Sequence, residues 1–251
     1  MTEAKHFQMT ARVSECECDA SRSLTPGGVL RLVQDVSTVH SDCLGLTAQL
    51  HQEHHTAFLL AKTAMQLERP IPAGSRLTLD TYPAQERAVF HRYTTLRLPD
   101  GDIAAAVDAR WVLVDTDTRR ILRRAPQGLP LHWEGLPVAA TLDLSFPKPE
   151  TPAPLGEEVA CYSRCDQNHH LNNTRYADLA CDCLPLDRLT REPLRRLVLL
   201  YHREIPLGER FSLMGGQADA DGYYLEGLRE GERCFEAFAS FAPLPLPTLS
   251  L

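Results

Sequence analysis

Asp166-Gln167-Asn168-His169-His170-Leu171-Asn172-Asn173-Thr174-Arg175-Tyr176 crowds carboxylate, amide and imidazole side chains into the approach to a helix. The helix is expected to start near Asn172 or Asn173, because Tyr176, Leu179, Ala180 and Cys183 then fall at 3, 4 and 7 residues on one apolar face. The arrangement occurs twice. At an offset of 147 residues Asp19 stands for Asp166 and Leu24 for Leu171, and again a helix follows at once. In this earlier copy Thr25 suits the N-cap and Pro26 the first helical position. Val29, Leu32, Val33, Val36 and Val39 form its apolar stripe, and Gly45 is a natural stop.

Both copies sit in the same order of elements. A strand precedes each helix, Phe7–Val13 in the first half and Glu158–Ser163 in the second. Strands follow each helix: Phe58–Leu67, Arg76–Tyr82, Val89–Leu98 and Ala104–Val114, then Leu197–Ile205, Phe211–Ala218, Gly222–Leu228 and Cys234–Phe241. Pro99-Asp100-Gly101-Asp102 supplies a turn between two of them. The stripe on the first helix is too long and too apolar for a surface helix, so a sheet is expected to curl around it.

Two such units account for 251 residues at about 125 each. Seven of the eighteen prolines lie between Pro126 and Pro154, where missing donors and fixed φ forbid a long helix or a central strand. The expected division is residues 1–125, a proline-rich linker over 126–155, and residues 156–251, with Pro243-Leu244-Pro245-Leu246-Pro247 closing the second unit.

Composition narrows the class further. The chain is 43% hydrophobic and 24% charged, with 26 Lys and Arg against 33 Asp and Glu for a formal charge of −7. That balance argues against a general nucleic-acid binder. No apolar run approaches the ~20 residues of a membrane span, and Met1–His6 has no signal-peptide character, so a soluble cytoplasmic protein is expected. The eight cysteines make no Cys-x-x-Cys pair and read as reduced, small apolar residues, with no metal expected. No Gly-x-Gly-x-x-Gly or Walker pattern occurs, so no cofactor is expected.

The duplication is unequal in chemistry. Ser21 stands opposite Asn168 and Ser23 opposite His170, so the polar cluster exists in one copy only. Asp166, Asn168 and His170 alternate by two and would share one face of an extended backbone. They lead into a helix N-terminus, where free N–H groups favour developing negative charge. A carboxylate, an amide and an imidazole at such a place suit acyl transfer, although all three residue types also serve as ordinary turn and capping residues.

Asp-x-Asn-x-His-x-Asn-Asn-x-x-Tyr, carried here by Asp166, Asn168, His170, Asn172, Asn173 and Tyr176, resembles the motif of the acyl-acyl carrier protein thioesterases, the plant and bacterial enzymes that end fatty-acid synthesis. Tyr201-His202-Arg203-Glu204 resembles the family's Tyr-x-Arg-Glu block, which carries a catalytic glutamate. Trp111-Val112-Leu113-Val114-Asp115 with Thr118-Arg119-Arg120 is similar to the closing strand of its first domain. The resemblance implies an α+β protein of two tandem hot-dog domains, each a long helix wrapped by an antiparallel sheet, the first binding the acyl chain and the second catalytic. It implies no cofactor. Plant members carry a cysteine directly after the glutamate; here Ile205 stands there, which excludes a papain-like nucleophile at that position.

The remaining groups suit water attack on a thioester. Glu204 would act as general base or, less favourably, as nucleophile. His170 would orient the water or protonate the departing thiolate, Asp166 would fix the imidazole tautomer, and Asn168 would donate to the thioester oxygen or to the water. Asn172, Asn173 and Tyr176 are candidate substrate contacts. Val29, Leu32, Val33, Val36, Phe58, Leu60 and Met65 are candidates for the acyl tunnel, all of them equally suited to an ordinary core. The expected partner is acyl carrier protein, with an acyl-CoA thioesterase or a non-catalytic acyl-binding protein as alternatives. Of two arginine clusters, Arg119/Arg120/Arg123/Arg124 and Arg188/Arg191/Arg195/Arg196, the second is favoured for carrier contact because it lies between His170 and Glu204 in sequence. Either a monomer or a homodimer is compatible with tandem domains.

Overall fold

A computed structural model of the protein describes residues 6–131, 133 and 142–241. Ten strands form one fully antiparallel sheet. The first half supplies β1 (Phe7–Arg12), β2 (Thr56–Leu67), β3 (Arg76–Glu86), β4 (Val89–Arg97) and β5 (Ile103–Asp115). The second supplies β6 (Ala153–Val159), β7 (Arg196–Tyr201), β8 (Arg210–Gln217), β9 (Gly222–Arg229) and β10 (Glu232–Ser240). The spatial order is β1-β3-β4-β5-β2-β7-β10-β9-β8-β6, in which the second five mirror the first five. The seam is β2 against β7, with Lys62 opposite Leu200 and Gln66 opposite Arg196.

Helix α1 spans Pro26–Cys43, its first turn closed by the Thr25 hydroxyl accepting from the Gly28 amide at 3.0 Å. Gly45 follows at φ 78°, the left-handed conformation that glycine adopts without a Cβ penalty. Val29, Val33 and Val36 are buried in one core with Met65, Leu77, Leu79 and Leu96, and that core runs on into the second half through Leu179, Leu197 and Phe235. Short helices α2 (Ala48–Glu53), α3 (Arg175–Asp182) and α4 (Leu186–Leu189) complete the set. α1 and α3 pack on each other across the pseudo-twofold relation of the halves. Arg31 Nη1 donates to Asp178 Oδ2 at 2.9 Å, and these two positions are 147 residues apart, the same offset that overlays the halves. The helices come close there because position 27 is glycine: a Cβ on Gly27 would lie 1.8 Å from Asp178 Oδ1.

Several expectations shift. Among the described residues a long helix is present only in the first half, where α1 has 18 residues against 8 for α3. The strand placed at Glu158–Ser163 is β6, Ala153–Val159, and residues 162–164 form a 3₁₀ turn. β6 thus begins inside the expected 126–155 linker; it is an edge strand bonded to β8 alone, which tolerates Pro154. β7 ends at Tyr201 rather than Ile205. From Leu142 to Phe146 the linker lies on the outer face of the sheet, against Ala64, Ala106, Val198 and Phe238. Residues 132 and 134–141 of the linker and the tail at Pro243–Pro247 lie outside the described residues.

Candidate active site

The cluster sits on a tight turn and not on the extended strand that its alternation suggested. Asp166 N donates to His170 O and His169 N to Asp166 O, both at 3.0 Å, with His169 at φ 61°. The Asp166 carboxylate accepts from the Asn168 amide at 2.9 Å, the bond by which aspartate commonly closes such a turn. Closing the turn brings Asp166 Oδ2 to 3.6 Å from His170 Nδ1, which also donates to Leu171 O at 3.4 Å. Asn168 itself is exposed.

Glu204 arrives from a second loop. Beyond Tyr201 the chain leaves the sheet and docks on the turn: Leu171 N donates to Ile205 O and Leu207 N to His169 O, both at 2.8 Å. These bonds place Glu204 Oε1 3.8 Å from His170 Nε2. His170 therefore has a carboxylate facing each ring nitrogen. Its side chain and that of Asp166 are 17% and 19% exposed, whereas Glu204 is 57% exposed and open to water. The loop is anchored on the far side by His202 Nε2 donating to Glu236 Oε2 at 2.9 Å and by an Arg203–Glu232 ion pair. Ile205, at the position where plant relatives carry cysteine, is fully buried.

The first half repeats this scaffold without its histidine and glutamate. Asp19 accepts from the Ser21 and Ser23 amides at 2.9 and 3.0 Å, Arg22 takes φ 62°, and Leu24 N donates to Ile71 O at 2.8 Å. Ser23 bridges to Pro72 as His170 does to Pro206. The counterpart of Glu204 is thus Pro70. A signal for this was present in the sequence: Ile71-Pro72-Ala73-Gly74 returns as Ile205-Pro206-Leu207-Gly208, which marks the second loop as part of the duplicated unit.

A cavity of about 290 Å³ opens between α1 and the helix-facing side of β2, β4 and β5. It reaches the second half at Asn173, Thr174 and Tyr201, directly after the His170 turn and directly before the Glu204 loop. Of the tunnel candidates, Val33, Phe58 and Leu60 line it. Val29, Val36 and Met65 are instead core residues without solvent access, and Leu32 packs on that core. The α1 wall is largely polar, with Gln34, Ser37, Thr38 and Ser41. At the far side stand Trp111, Phe90, Trp133 and Arg92, none of which the periodicity singled out. Arg92 is 6% exposed; it donates from Nη1 to His40 Nδ1 at 2.6 Å and from Nη2 to Ser41 Oγ at 3.3 Å. Among the described residues it has no carboxylate within 4.0 Å, and burial lowers its pKa to about 10.

The other candidates divide. Asn173 lines the cavity and its carbonyl accepts from the Tyr201 hydroxyl at 3.0 Å. Asn172 caps the turn into α3, its Oδ1 accepting from Thr174 N at 2.9 Å and Thr174 Oγ1 at 2.7 Å. Tyr176 is core: 3% exposed and edge-on to Tyr201 and Phe235. The favoured arginine cluster does not lie at the mouth. Arg196 opens β7 while Glu204 follows its other end, so the strand itself separates them by ~20 Å. Its charges are also engaged: Arg188 with Asp221 at 2.6 Å, Arg191 with Asp187 at 2.6 Å, Arg195 with Glu68 O, and Arg196 with the Asp143 and Ser145 carbonyls at 2.9 and 2.7 Å.

Two helix-and-sheet halves joined edge to edge define a tandem hot-dog protein. The chain belongs to the acyl-ACP thioesterase family: the model of the family's N-terminal domain matches residues 4–127 and that of its C-terminal domain residues 159–227. The oleoyl-acyl carrier protein thioesterase 1 of Arabidopsis thaliana chloroplasts is 21% identical over 214 residues, covering 76% of this chain and 58% of that protein. Among solved structures, an acyl-ACP thioesterase from Bacteroides thetaiotaomicron superposes with TM-score 0.87 at 18% identity, covering 96% of this chain and 99% of that one. The 12:0-ACP thioesterase from Umbellularia californica gives TM-score 0.76 at 15% identity, covering 95% and 98%.

Proposed function

We propose that this protein hydrolyses fatty acyl thioesters of acyl carrier protein, releasing the free fatty acid and the carrier thiol. The observation that carries the reading is His170 held between two carboxylates, on the turn that leads into Asn173 and Thr174 in the wall of a chain-sized cavity. Glu204, exposed to solvent, takes a proton from water as the oxygen attacks the thioester carbon. His170, with Asp166 fixing its Nδ1 side, holds that water, receives the proton from Glu204 at Nε2 and passes it to the sulfur as the C–S bond breaks. Asn168, free on the exposed side of the turn, donates to the carbonyl oxygen as it gains charge. Water thus adds across the C–S bond, its hydroxyl going to the acyl carbon and its hydrogen to the sulfur. The acyl chain occupies the cavity beneath α1, entering past Asn173, Thr174 and Tyr201.

Thiol release from carrier-protein and coenzyme A thioesters of several chain lengths tests this. Turnover of the carrier thioester supports the proposal. Turnover of the coenzyme A form alone would transfer the activity to that substrate, and tight binding without turnover would make the protein an acyl carrier rather than a hydrolase.

A further inference from the structure

Four arginines without an ion-pair partner gather at the other candidate cluster. Arg119, Arg120, Arg123 and Arg124 are all exposed, and none has a carboxylate within 4.0 Å among the described residues. Ile121, in their midst, is 57% exposed. Four unpaired cations around an apolar side chain are conspicuous on a chain of formal charge −7. The segment is also held in place. It folds back on β5, with Asp115 N donating to Arg120 O at 2.9 Å and Leu122 N to Leu113 O at 2.8 Å. Leu122 packs inward on the cluster of Leu46, Phe90, Leu113 and Trp133.

Its position follows from strand direction. β5 and β7 are both antiparallel to β2, so their C-terminal ends leave the sheet on the same side. The arginine segment continues β5 and the Glu204 loop continues β7, two strand spacings or ~10 Å apart across the sheet. β5 runs on about four residues, ~13 Å, past the level of Tyr201, since Leu200 and Arg110 both face Lys62 whereas Asp115 faces Thr56. The 188–196 cluster begins β7 and so lies at the opposite end.

Building on the proposed hydrolysis, we propose that Arg119, Arg120, Arg123, Arg124 and Ile121 form the docking surface for the acyl carrier, engaging an acidic amphipathic helix with one apolar side chain turned toward Ile121. The arginines neutralise the helix and steer its approach, and the prosthetic arm then reaches along the sheet end toward His170 and Glu204.

The test combines Arg119→Glu, Arg120→Glu, Arg123→Glu and Arg124→Glu in one variant, with Ile121→Ser as a second. Binding is measured by titration with holo-carrier, which needs no turnover, and kcat/KM on acyl-carrier and on uncharged acyl-pantetheine of equal chain length. The charge-reversed variant should bind the carrier at least tenfold more weakly at low salt, the loss shrinking as salt rises, with acyl-pantetheine hydrolysis unchanged. Unaltered carrier affinity would overturn the proposal, as would equal losses on both substrates, a carrier defect only in Arg191→Glu/Arg195→Glu, or an affinity for anionic vesicles that alone disappears. A wild type that binds carrier through this patch but hydrolyses nothing would refute the hydrolysis and leave the docking surface standing.

Discussion

Replacing Arg92 by methionine should move the preferred acyl chain to greater length. The cavity starts at Tyr201 on β7 and crosses β2 and β5 to Arg92 on β4, three strand spacings or ~14 Å. A chain threading it ends against a buried guanidinium that lacks a carboxylate and stays protonated near neutrality, its pKa lowered only to about 10. A methyl terminus gains little by pressing on such a wall and would strip it of any remaining hydration. Methionine presents an apolar, shorter and adaptable side chain there. Each further methylene buried is worth about 0.8 kcal/mol, or roughly fourfold in kcat/KM; two give about 1.6 kcal/mol, roughly 15-fold. The fold should survive, since removing a buried charge without a counter-ion is often neutral or favourable, and His40 loses one hydrogen bond worth about 1 kcal/mol. The assay is kcat/KM across a ladder of carrier thioesters, read as the ratio of longer to shorter chains. A ratio unchanged within twofold in a variant of unaltered Tm would show that Arg92 is not the end of the chain site.

Glu204→Gln should lower kcat by ~10²-fold or more with the fold intact, because an amide cannot take the water proton; His170→Ala should do the same, whereas Ser23→Ala, on the same turn of the first half, should not. A common effect at 23 and 170 would refute a single reactive half. Thiol alkylation should label exposed Cys16, Cys43 and Cys161 and inhibit only by bulk, since burial pushes Cys183 up to about 11 and Cys181 to about 12 and raises Cys165, next to the turn; loss of turnover in step with one cysteine would contradict this. Glu236 should govern acid stability. Burial alone would raise its pKa, but hydrogen bonds from Lys148, Tyr224 and His202 override that and hold it at about 2 against an ordinary 4.5. A depressed acid stabilises the fold above its unfolded pKa and loses that contribution as pH falls toward the folded one. Glu236→Gln should therefore cost on the order of 3 kcal/mol at pH 7 and flatten the decline in Tm between about pH 4.5 and 2; parallel Tm profiles for variant and wild type would disprove it.

What could be read from the sequence was what is local. Thr25, Pro26 and Gly45 bound α1 because caps and helix stops are short-range chemistry. Strand interiors followed from periodicity, and their ends shifted where tertiary contacts intervene, as at Tyr201, where the chain departs to pack on the His170 turn. The cavity was less legible for a physical reason. Periodicity finds the side of a helix that is most apolar, and on α1 that side is the packed core of Val29 and Val36. The side facing the cavity carries Gln34, Ser37 and Ser41, and Arg92 and Trp133 join it from a strand and the linker. The arginine clusters show the same limit, since a count of charges does not reveal which of them the fold neutralises.

The unequal duplication explains how the two halves divide the work. Asp19 and Asp166 perform one structural task, closing a turn whose next residues have matching φ of 62° at Arg22 and 61° at His169. The turn is therefore scaffold, and Asp166 keeps that duty, through the Asn168 amide, while its other oxygen faces His170. In the proposed reaction the chemistry is added by three differences between the copies, asparagine for Ser21, histidine for Ser23 and glutamate for Pro70. None alters the backbone bonds, since Leu24 to Ile71 and Leu171 to Ile205 are both 2.8 Å. The first half instead extends its helix to 18 residues and covers the cavity. Because β2 and β7 are hydrogen-bonded neighbours, the cavity of one half and the reactive turn of the other belong to a single sheet. In the proposed reaction the chain site is then aligned with the reacting groups before any substrate arrives, the condition under which binding energy along an acyl chain can be used at the thioester.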